Sequence, residues 1–133
     1  MKKQVKDWLF LANDDLSAAE IIIKEQQPLT NIVSFHCQQA IEKYIKAFLI
    51  ENEIPLVKTH DLIKLNNMIS EVKKLYIDEK KLIVLNEVYI DSRYPGELGL
   101  VSNGMPSVEQ AKIFIGYAKE IKEIINNELS SIT

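Results

Sequence analysis

The sequence has few of the residues that cross-link or interrupt a chain. Its 133 residues include one cysteine, four glycines and four prolines. The lone cysteine, Cys37, excludes an intramolecular disulfide, and we expect it to be a small buried side chain. No apolar run approaches the roughly 20 residues that span a bilayer, and Met-Lys-Lys leads into an amphipathic stretch rather than a signal-peptide core. We therefore expect a cytoplasmic protein without a membrane segment.

The sequence also lacks a net positive charge. Sixteen lysines and arginines face nineteen acidic residues, and the net charge is −3. The field of the whole molecule would therefore not attract a polynucleotide, so nucleotide or RNA binding would need a local patch. The two histidines, His36 and His60, have no carboxylates clustered between them at ligand spacing. We expect no metal site and no cofactor.

Apolar residues are plentiful, and their spacing predicts helices. The chain is 47% hydrophobic and 26% charged, and its length suits one domain covering residues 1–133. Apolar positions recur every three or four residues in five segments, as expected for helices with one buried face. Short connections favour antiparallel neighbours, so the sequence predicts an all-α, up-and-down four-helix bundle with an additional shorter helix.

Proline, glycine and capping residues set the predicted bounds. The first predicted helix runs from Val5 to near Gln26, and the second from about Asn31 to Asn52. The third runs from a cap at Thr59 through Val72, and the fourth from around Asp78 to before Pro95. The last helix follows a capping box of Ser107 and Gln110. In the last helix the predicted inward residues are Ala111, Phe114, Ile115, Ala118, Ile121, Ile125 and Leu129.

The polar side of the second helix is the most informative stretch. It presents four side chains within one sector, with Glu42 at the margin: His36, Gln39, Lys43 and Lys46. This group suits a phosphate or a base edge. The alternative is a solvated face with a local Glu42–Lys46 pair. Phe35 also projects toward this side, which favours burial against a partner subunit.

Arg93 is the only arginine in the chain, and it ends the predicted fourth helix just before Tyr94. A guanidinium can bind a phosphate or carboxylate with two hydrogen bonds. Alternatively, its positive charge at the end of the helix can interact favourably with the helix dipole, or it can pair with an acid such as Asp15. A further alternative is structural: Asp15, Gln38, Lys43 and Arg93 could form a buried network that links three helices. His60, near a predicted helix start, favours local hydrogen bonding over catalysis.

One run of residues resembles a known family signature. It reads Phe35-His36-Cys37-Gln38-Gln39-Ala40-Ile41-Glu42-Lys43-Tyr44-Ile45-Lys46-Ala47 and is similar to the pattern of prokaryotic HEPN (higher eukaryotes and prokaryotes nucleotide-binding) domains. Three shorter matches appear in the family's order: Asp15, Leu16 and Ala19; Pro55 with Thr59-His60-Asp61-Leu62; and Ser92-Arg93-Tyr94-Pro95.

The resemblance implies a helical bundle that is usually a homodimer, often paired with a minimal nucleotidyltransferase as toxin and antitoxin. Many HEPN proteins are metal-independent ribonucleases with an Arg-x(4 to 6)-His motif shared across a dimer. Here Arg93 matches the arginine, but positions 97–100 contain no histidine, so the usual general acid or base is missing.

Three functions therefore remain open. The first is a non-cleaving module that binds a nucleotide or RNA through His36, Gln39, Lys43, Lys46, Arg93 and Tyr94 and dimerises through Phe35. The second is a ribonuclease toxin in which His36 or His60 acts with Arg93. The third is a helical dimerisation module whose polar network is structural.

Overall fold

The computed structural model describes residues 1–93 and 105–132, with the side chains of residues 1–88 and 105–130. In these ranges the chain forms five helices and no strand: α1 (Lys3–Ile22), α2 (Thr30–Glu51), α3 (Leu62–Ser70), α4 (Glu79–Arg93) and α5 (Val108–Ile132). The predicted all-α bundle with one shorter helix is confirmed. No helix in the described ranges is long and apolar enough to cross a membrane.

The first two helices, α1 and α2, run in opposite directions. Lys2, at the start of α1, donates to the carbonyl of Ile50 near the end of α2, and Asn13 accepts from the hydroxyl of Tyr44. At the other end, Lys119 of α5 pairs with Glu20 near the end of α1. The bundle is therefore an up-and-down arrangement, as the short connections predicted.

α2 lies at the centre and contacts each of the other four helices. Its side chains accordingly supply many of the fully buried residues, including Tyr44, Phe48 and Leu49. All seven inward positions predicted for the last helix are buried in α5. The three-and-four spacing thus identified the buried face of α5 correctly, because the face of a helix follows from its own sequence.

Two predicted helix ends are wrong. α1 ends at Ile22 rather than near Gln26, because its last turn tightens into the shorter bonds from the N–H groups of Lys24 and Glu25 to carbonyls three residues earlier. Pro28 therefore follows the end of α1 and does not cause it.

α3 is capped by Asp61, not by Thr59. Asp61 Oδ1 accepts from the N–H groups of Ile63, at 2.9 Å, and Lys64, at 3.4 Å. Thr59 Oγ1 instead accepts from the N–H of Asp61. The nearer carboxylate reaches the free N–H groups and starts the helix two residues later. Val72 lies beyond the end of α3 and is 44% exposed.

The capping box at the start of α5 is confirmed. The N–H of Ser107 donates to Gln110 Oε1 at 2.9 Å, and the N–H of Gln110 donates to Ser107 Oγ at 3.1 Å. Two N–H groups that lack a partner within the helix are thereby satisfied, so the side chains of two residues determine where α5 begins.

Glu53 is held in the left-handed region at the end of α2, with φ 59°, while the next N–H bonds back to the carbonyl of Leu49. A side chain with a Cβ costs about 1 kcal/mol in this conformation. We therefore expect Glu53→Gly to raise the free energy of unfolding by up to about 1 kcal/mol in urea denaturation. Glu53→Ala, which removes the same weak contact with Lys2 but keeps the Cβ, should show no gain. An equal gain from both variants would contradict this explanation.

Candidate functional site

The carboxylate of Asp15 joins two residues of α2 to α1. Asp15 Oδ1 lies 2.9 Å from Nδ1 of His36, and Oδ2 accepts from the ammonium of Lys43. The three side chains are partly buried: 13% of Asp15, 26% of His36 and 20% of Lys43 remain exposed. We call Asp15, His36 and Lys43 the Asp15 cluster.

The Asp15 cluster follows from the spacing of its members. His36 and Lys43 are seven residues apart, which places them on the same side of α2 two turns from one another. Asp15 faces the gap between them from α1. One carboxylate therefore neutralises the lysine and also holds the histidine ring, and the cluster carries little net charge while that ring is neutral.

A second cluster surrounds the carboxylate of Glu42, farther along α2. Glu42 accepts from Lys46 Nζ at 3.0 Å and contacts His60 Nδ1 at 2.8 Å, with Gln38 Nε2 at 3.4 Å. The Glu42 side chain is only 4% exposed and that of Lys46 10%, whereas His60 is 62% exposed. Lys46 Nζ also lies 5.5 Å from the ring centroid of Trp8. These residues form the Glu42 cluster.

Amide groups join the Glu42 cluster to its surroundings. Gln38 Nε2 donates to the carbonyl of His60 at 2.8 Å, which fastens the connection before α3 to α2. Gln39 Nε2 donates to Gln38 Oε1 at 2.7 Å. Gln39 lies on the same side of α2 as His36 and Lys43, so the polar side of α2 runs from the Asp15 cluster toward the Glu42 cluster.

Arg93 ends α4 at a level different from that of His36. Asn86 of α4 bonds to Asp61, next to the histidine that contacts Glu42. Seven more residues carry α4 to Arg93, about 10 Å farther toward the C-terminal end of α2. His36 lies on the other side of Glu42, so the backbones of His36 and Arg93 lie at different levels of the bundle.

The sequence model of the HEPN domain matches residues 5–128. The chain belongs to the HEPN domain family. Its structure is also similar to the crystal structure of TT1696 from Thermus thermophilus, with a TM-score of 0.74 and 18% sequence identity, over 95% of this chain and 98% of that chain. At that identity the likeness concerns the fold alone. No curated protein matches the chain.

The HEPN signature therefore has a structural basis in this chain. His36 and Lys43 of the signature meet at Asp15, which belongs to the shorter Asp-Leu pattern. Glu42 of the signature meets His60 of the Thr-His-Asp-Leu pattern. Residues that are distant in sequence are thus paired in space, so these motifs are parts of two interhelical clusters.

Not every predicted site residue lies in the same place. The structure brings His36 and Lys43 together, with Gln39 beside them, but Lys46 is buried in the Glu42 cluster with Trp8. The local Glu42–Lys46 pair is present, although the face around it is covered rather than solvated. The side chain of Arg93 and all of Tyr94 lie outside the described residues.

The predicted structural network is present only in part. Asp15 pairs with Lys43, but Gln38 belongs to the other cluster. The sequence indicated Asp15 only as a partner for Arg93 or as part of this network, and not as the shared acceptor of His36 and Lys43. The sequence signal near that role was the resemblance of Asp15, Leu16 and Ala19 to a pattern of the same family as the signature.

Two further residues bear on the predicted chemistry. Phe35 is half-buried and makes an edge contact with the ring of His36, with centroids 5.5 Å apart. Burial raises the pKa of the Cys37 thiol to about 12, with a smaller contribution from Glu20, so this residue is not a nucleophile at neutral pH. In the described ranges, no three His, Cys, Asp or Glu side chains are grouped to hold a metal ion.

Proposed function

We propose that this HEPN protein is the nucleotide- or RNA-binding component of a toxin–antitoxin pair with a minimal nucleotidyltransferase, and that it acts in the cytoplasm as a homodimer. The observation that carries the proposal is the Asp15 cluster, where a lysine and a histidine stay partly exposed on one side of α2. Phe35 lies beside them and contacts His36. We assign Phe35 to the dimer interface, where an aromatic side chain can be buried.

The binding surface in this proposal consists of His36, Gln39 and Lys43 on α2. Lys43 would contact a phosphate, because an ammonium donates up to three hydrogen bonds to phosphate oxygens. Arg93 ends α4 at a level different from that of His36, so we expect Arg93 and Tyr94 to join the same ligand from a second copy. Lys46 is enclosed by Glu42 and Trp8; its contribution would be to hold α2 in place.

Binding of RNA should depend on Lys43. We expect Lys43→Gln to weaken the binding of a labelled single-stranded RNA about tenfold, as measured by fluorescence polarisation. The slope of log affinity against log salt concentration should fall by about one, because one phosphate contact is lost. The matched control is Lys112→Gln, which removes one charge from an exposed lysine of α5 outside the Asp15 cluster. Equal losses in the two variants would mean that only overall charge matters. Absence of RNA binding by the unaltered protein would refute the proposal.

The second candidate function is metal-independent RNA cleavage, and the pairing of His36 with Asp15 favours it. A histidine held by a carboxylate can take the proton of a ribose 2′-hydroxyl. The 2′-oxygen then attacks the adjacent phosphorus, the 5′-oxygen leaves and takes up a proton, and a 2′,3′-cyclic phosphate remains. Arg93 from a second copy would stabilise the charge on the phosphate.

Cleavage can be followed in the same RNA samples in the presence of a chelator. RNA cut by the unaltered protein but not by Arg93→Ala would favour the ribonuclease, and a comparison of His36→Asn with His60→Asn would identify the histidine. RNA bound but left intact would favour the non-cleaving module and its nucleotidyltransferase partner. Light scattering of the protein and of Phe35→Asp tests the dimer independently.

A further inference from the structure

The hydrogen bond between His36 and Asp15 determines which ring nitrogen remains available. An ionised carboxylate only accepts hydrogen bonds, so Nδ1, 2.9 Å from Asp15 Oδ1, carries the proton. In the neutral ring Nε2 then has a free lone pair and acts as an acceptor. The site thus offers an acceptor at His36 next to a cation at Lys43.

Nε2 of His36 is also accessible. Among the described residues nothing hydrogen-bonds to this atom. Within the described ranges, the only side-chain nitrogen or oxygen that is both buried and without a hydrogen bond is Glu51 Oε2. His36 Nε2 has no hydrogen bond to any of these residues and is not such an atom, so it is not buried. His36 Nε2 therefore lies at the surface, in agreement with the 26% of the side chain that is exposed.

An exposed acceptor beside a cation selects the ligand by chemistry. Phosphate oxygens accept hydrogen bonds and suit Lys43, but they have no proton for Nε2. A ribose hydroxyl is a donor, and in a ribonucleotide it lies next to a phosphate. A deoxyribose at the same position lacks the 2′-hydroxyl and would leave Nε2 unpaired, which lowers affinity.

We propose that His36 Nε2 accepts a hydrogen bond from a ribose hydroxyl while Lys43 contacts the neighbouring phosphate, so that the site selects ribonucleotides over deoxyribonucleotides. This inference rests on the proposed function and adds the sugar specificity to it. Asp15 is a positioning residue, because it holds the ring with Nδ1–H inward and Nε2 as the acceptor.

The test compares two oligonucleotides that differ only in the hydroxyl. We expect the protein at about pH 8 to bind oligouridylate about fivefold more tightly than oligodeoxyuridylate of the same length, the effect of one hydrogen bond. The two probes share the uracil base, so a difference cannot come from a base edge. Polarisation titrations give both affinities, and gel analysis shows whether the RNA stays intact.

His36→Asn separates the ligand contact from the structural one. The asparagine amide nitrogen branches from Cγ as Nδ1 does, so it can still donate to Asp15, but no atom replaces Nε2. The variant should therefore bind the RNA and DNA probes with about equal affinity, and its melting temperature should be unchanged. His36→Gln, whose amide oxygen reaches the position of Nε2, should keep part of the preference. His60→Asn, in the Glu42 cluster, should keep all of it.

Asp15→Asn gives a second, independent readout. An asparagine amide can donate to Nδ1, which allows the proton to move to Nε2 and turns the acceptor into a donor. An N–H at Nε2 can donate to phosphate oxygens, which both probes have, as well as to the hydroxyl. The preference for RNA should then fall although His36 is still present.

The two proposals fail in distinguishable ways. Equal binding of both probes by the unaltered protein would overturn the sugar specificity and leave nucleic-acid binding standing. A preference for RNA that survives in His36→Asn would also overturn it. Binding of neither probe would refute the proposed function itself.

Discussion

Replacing Glu42 with glutamine should lower the free energy of unfolding by about 3 kcal/mol, as measured by urea denaturation. The carboxylate is 4% exposed and neutralises Lys46, which is 10% exposed. Without the negative charge, the buried ammonium of Lys46 faces a neutral amide and has no opposite charge beside it. Breaking a buried ion pair by removing one partner commonly costs about 3–5 kcal/mol. We expect a loss at the lower end of this range, because the glutamine oxygen still accepts a hydrogen bond from His60.

A double-mutant cycle tests the cause of this loss. Combining Glu42→Gln with Lys46→Met removes the uncompensated charge and should restore stability to within about 1 kcal/mol of the unaltered protein. Lys46→Met alone should be destabilising, because Glu42 then remains buried and the contact with the Trp8 ring is lost. A loss below about 1 kcal/mol for Glu42→Gln would contradict the buried-pair explanation.

An exposed ion pair provides the matched control. Lys3 Nζ and Asp7 Oδ2 are 2.9 Å apart, with 87% and 59% of the two side chains exposed. Asp7→Asn also removes one carboxylate charge from a pair four residues apart on a helix. Because water screens this pair, its replacement should leave the urea midpoint unchanged.

Cys37 should be inert to thiol reagents in the folded protein and should react rapidly once the protein unfolds. Burial raises its pKa from 9.0 to about 12, so the reactive thiolate at pH 8 is about a thousandfold less populated than in the unfolded chain. The rate of reaction with a chromogenic disulfide, with and without urea, measures this difference. Rapid labelling without urea would show that the bundle around Cys37 opens readily.

The same pKa predicts a loss of stability at alkaline pH. The folded state keeps the proton more tightly than the unfolded state, so its contribution is complete below about pH 9 and is lost as the pH rises toward 12. The free-energy equivalent of the whole difference is about 4 kcal/mol. Between pH 8 and about 10.5, the unaltered protein should lose about 2 kcal/mol more than Cys37→Ala, because other titrating groups contribute equally to both. Equal losses would contradict the assignment.

Much of the fold could be predicted from the sequence, because burial of an apolar face follows from local spacing. The seven inward residues of α5 and its capping box depend on residues within one helix. Helix ends were less predictable where two residues compete for the same N–H groups. Thr59 and Asp61 both have suitable oxygens, and only the path of the chain decides that Asp61 caps α3.

The candidate site was predictable only in part, because spacing along α2 does not show what covers its polar side. His36, Gln39, Lys43 and Lys46 share a sector of the helix. Trp8 from α1 and His60 from the connection before α3 enclose the last of these with Glu42. Contacts of this kind join residues 18 or more positions apart, beyond the reach of a local pattern.

The sequence by itself determined the five helices, the buried face of α5 and the HEPN family, since each depends on residue types at fixed spacing. Only the tertiary structure decided that Asp15 contacts both His36 and Lys43 and that Lys46 is buried. The physical reason is that charge pairing and burial depend on which helices are neighbours and at what level they meet, and that arrangement is fixed by packing of the whole bundle.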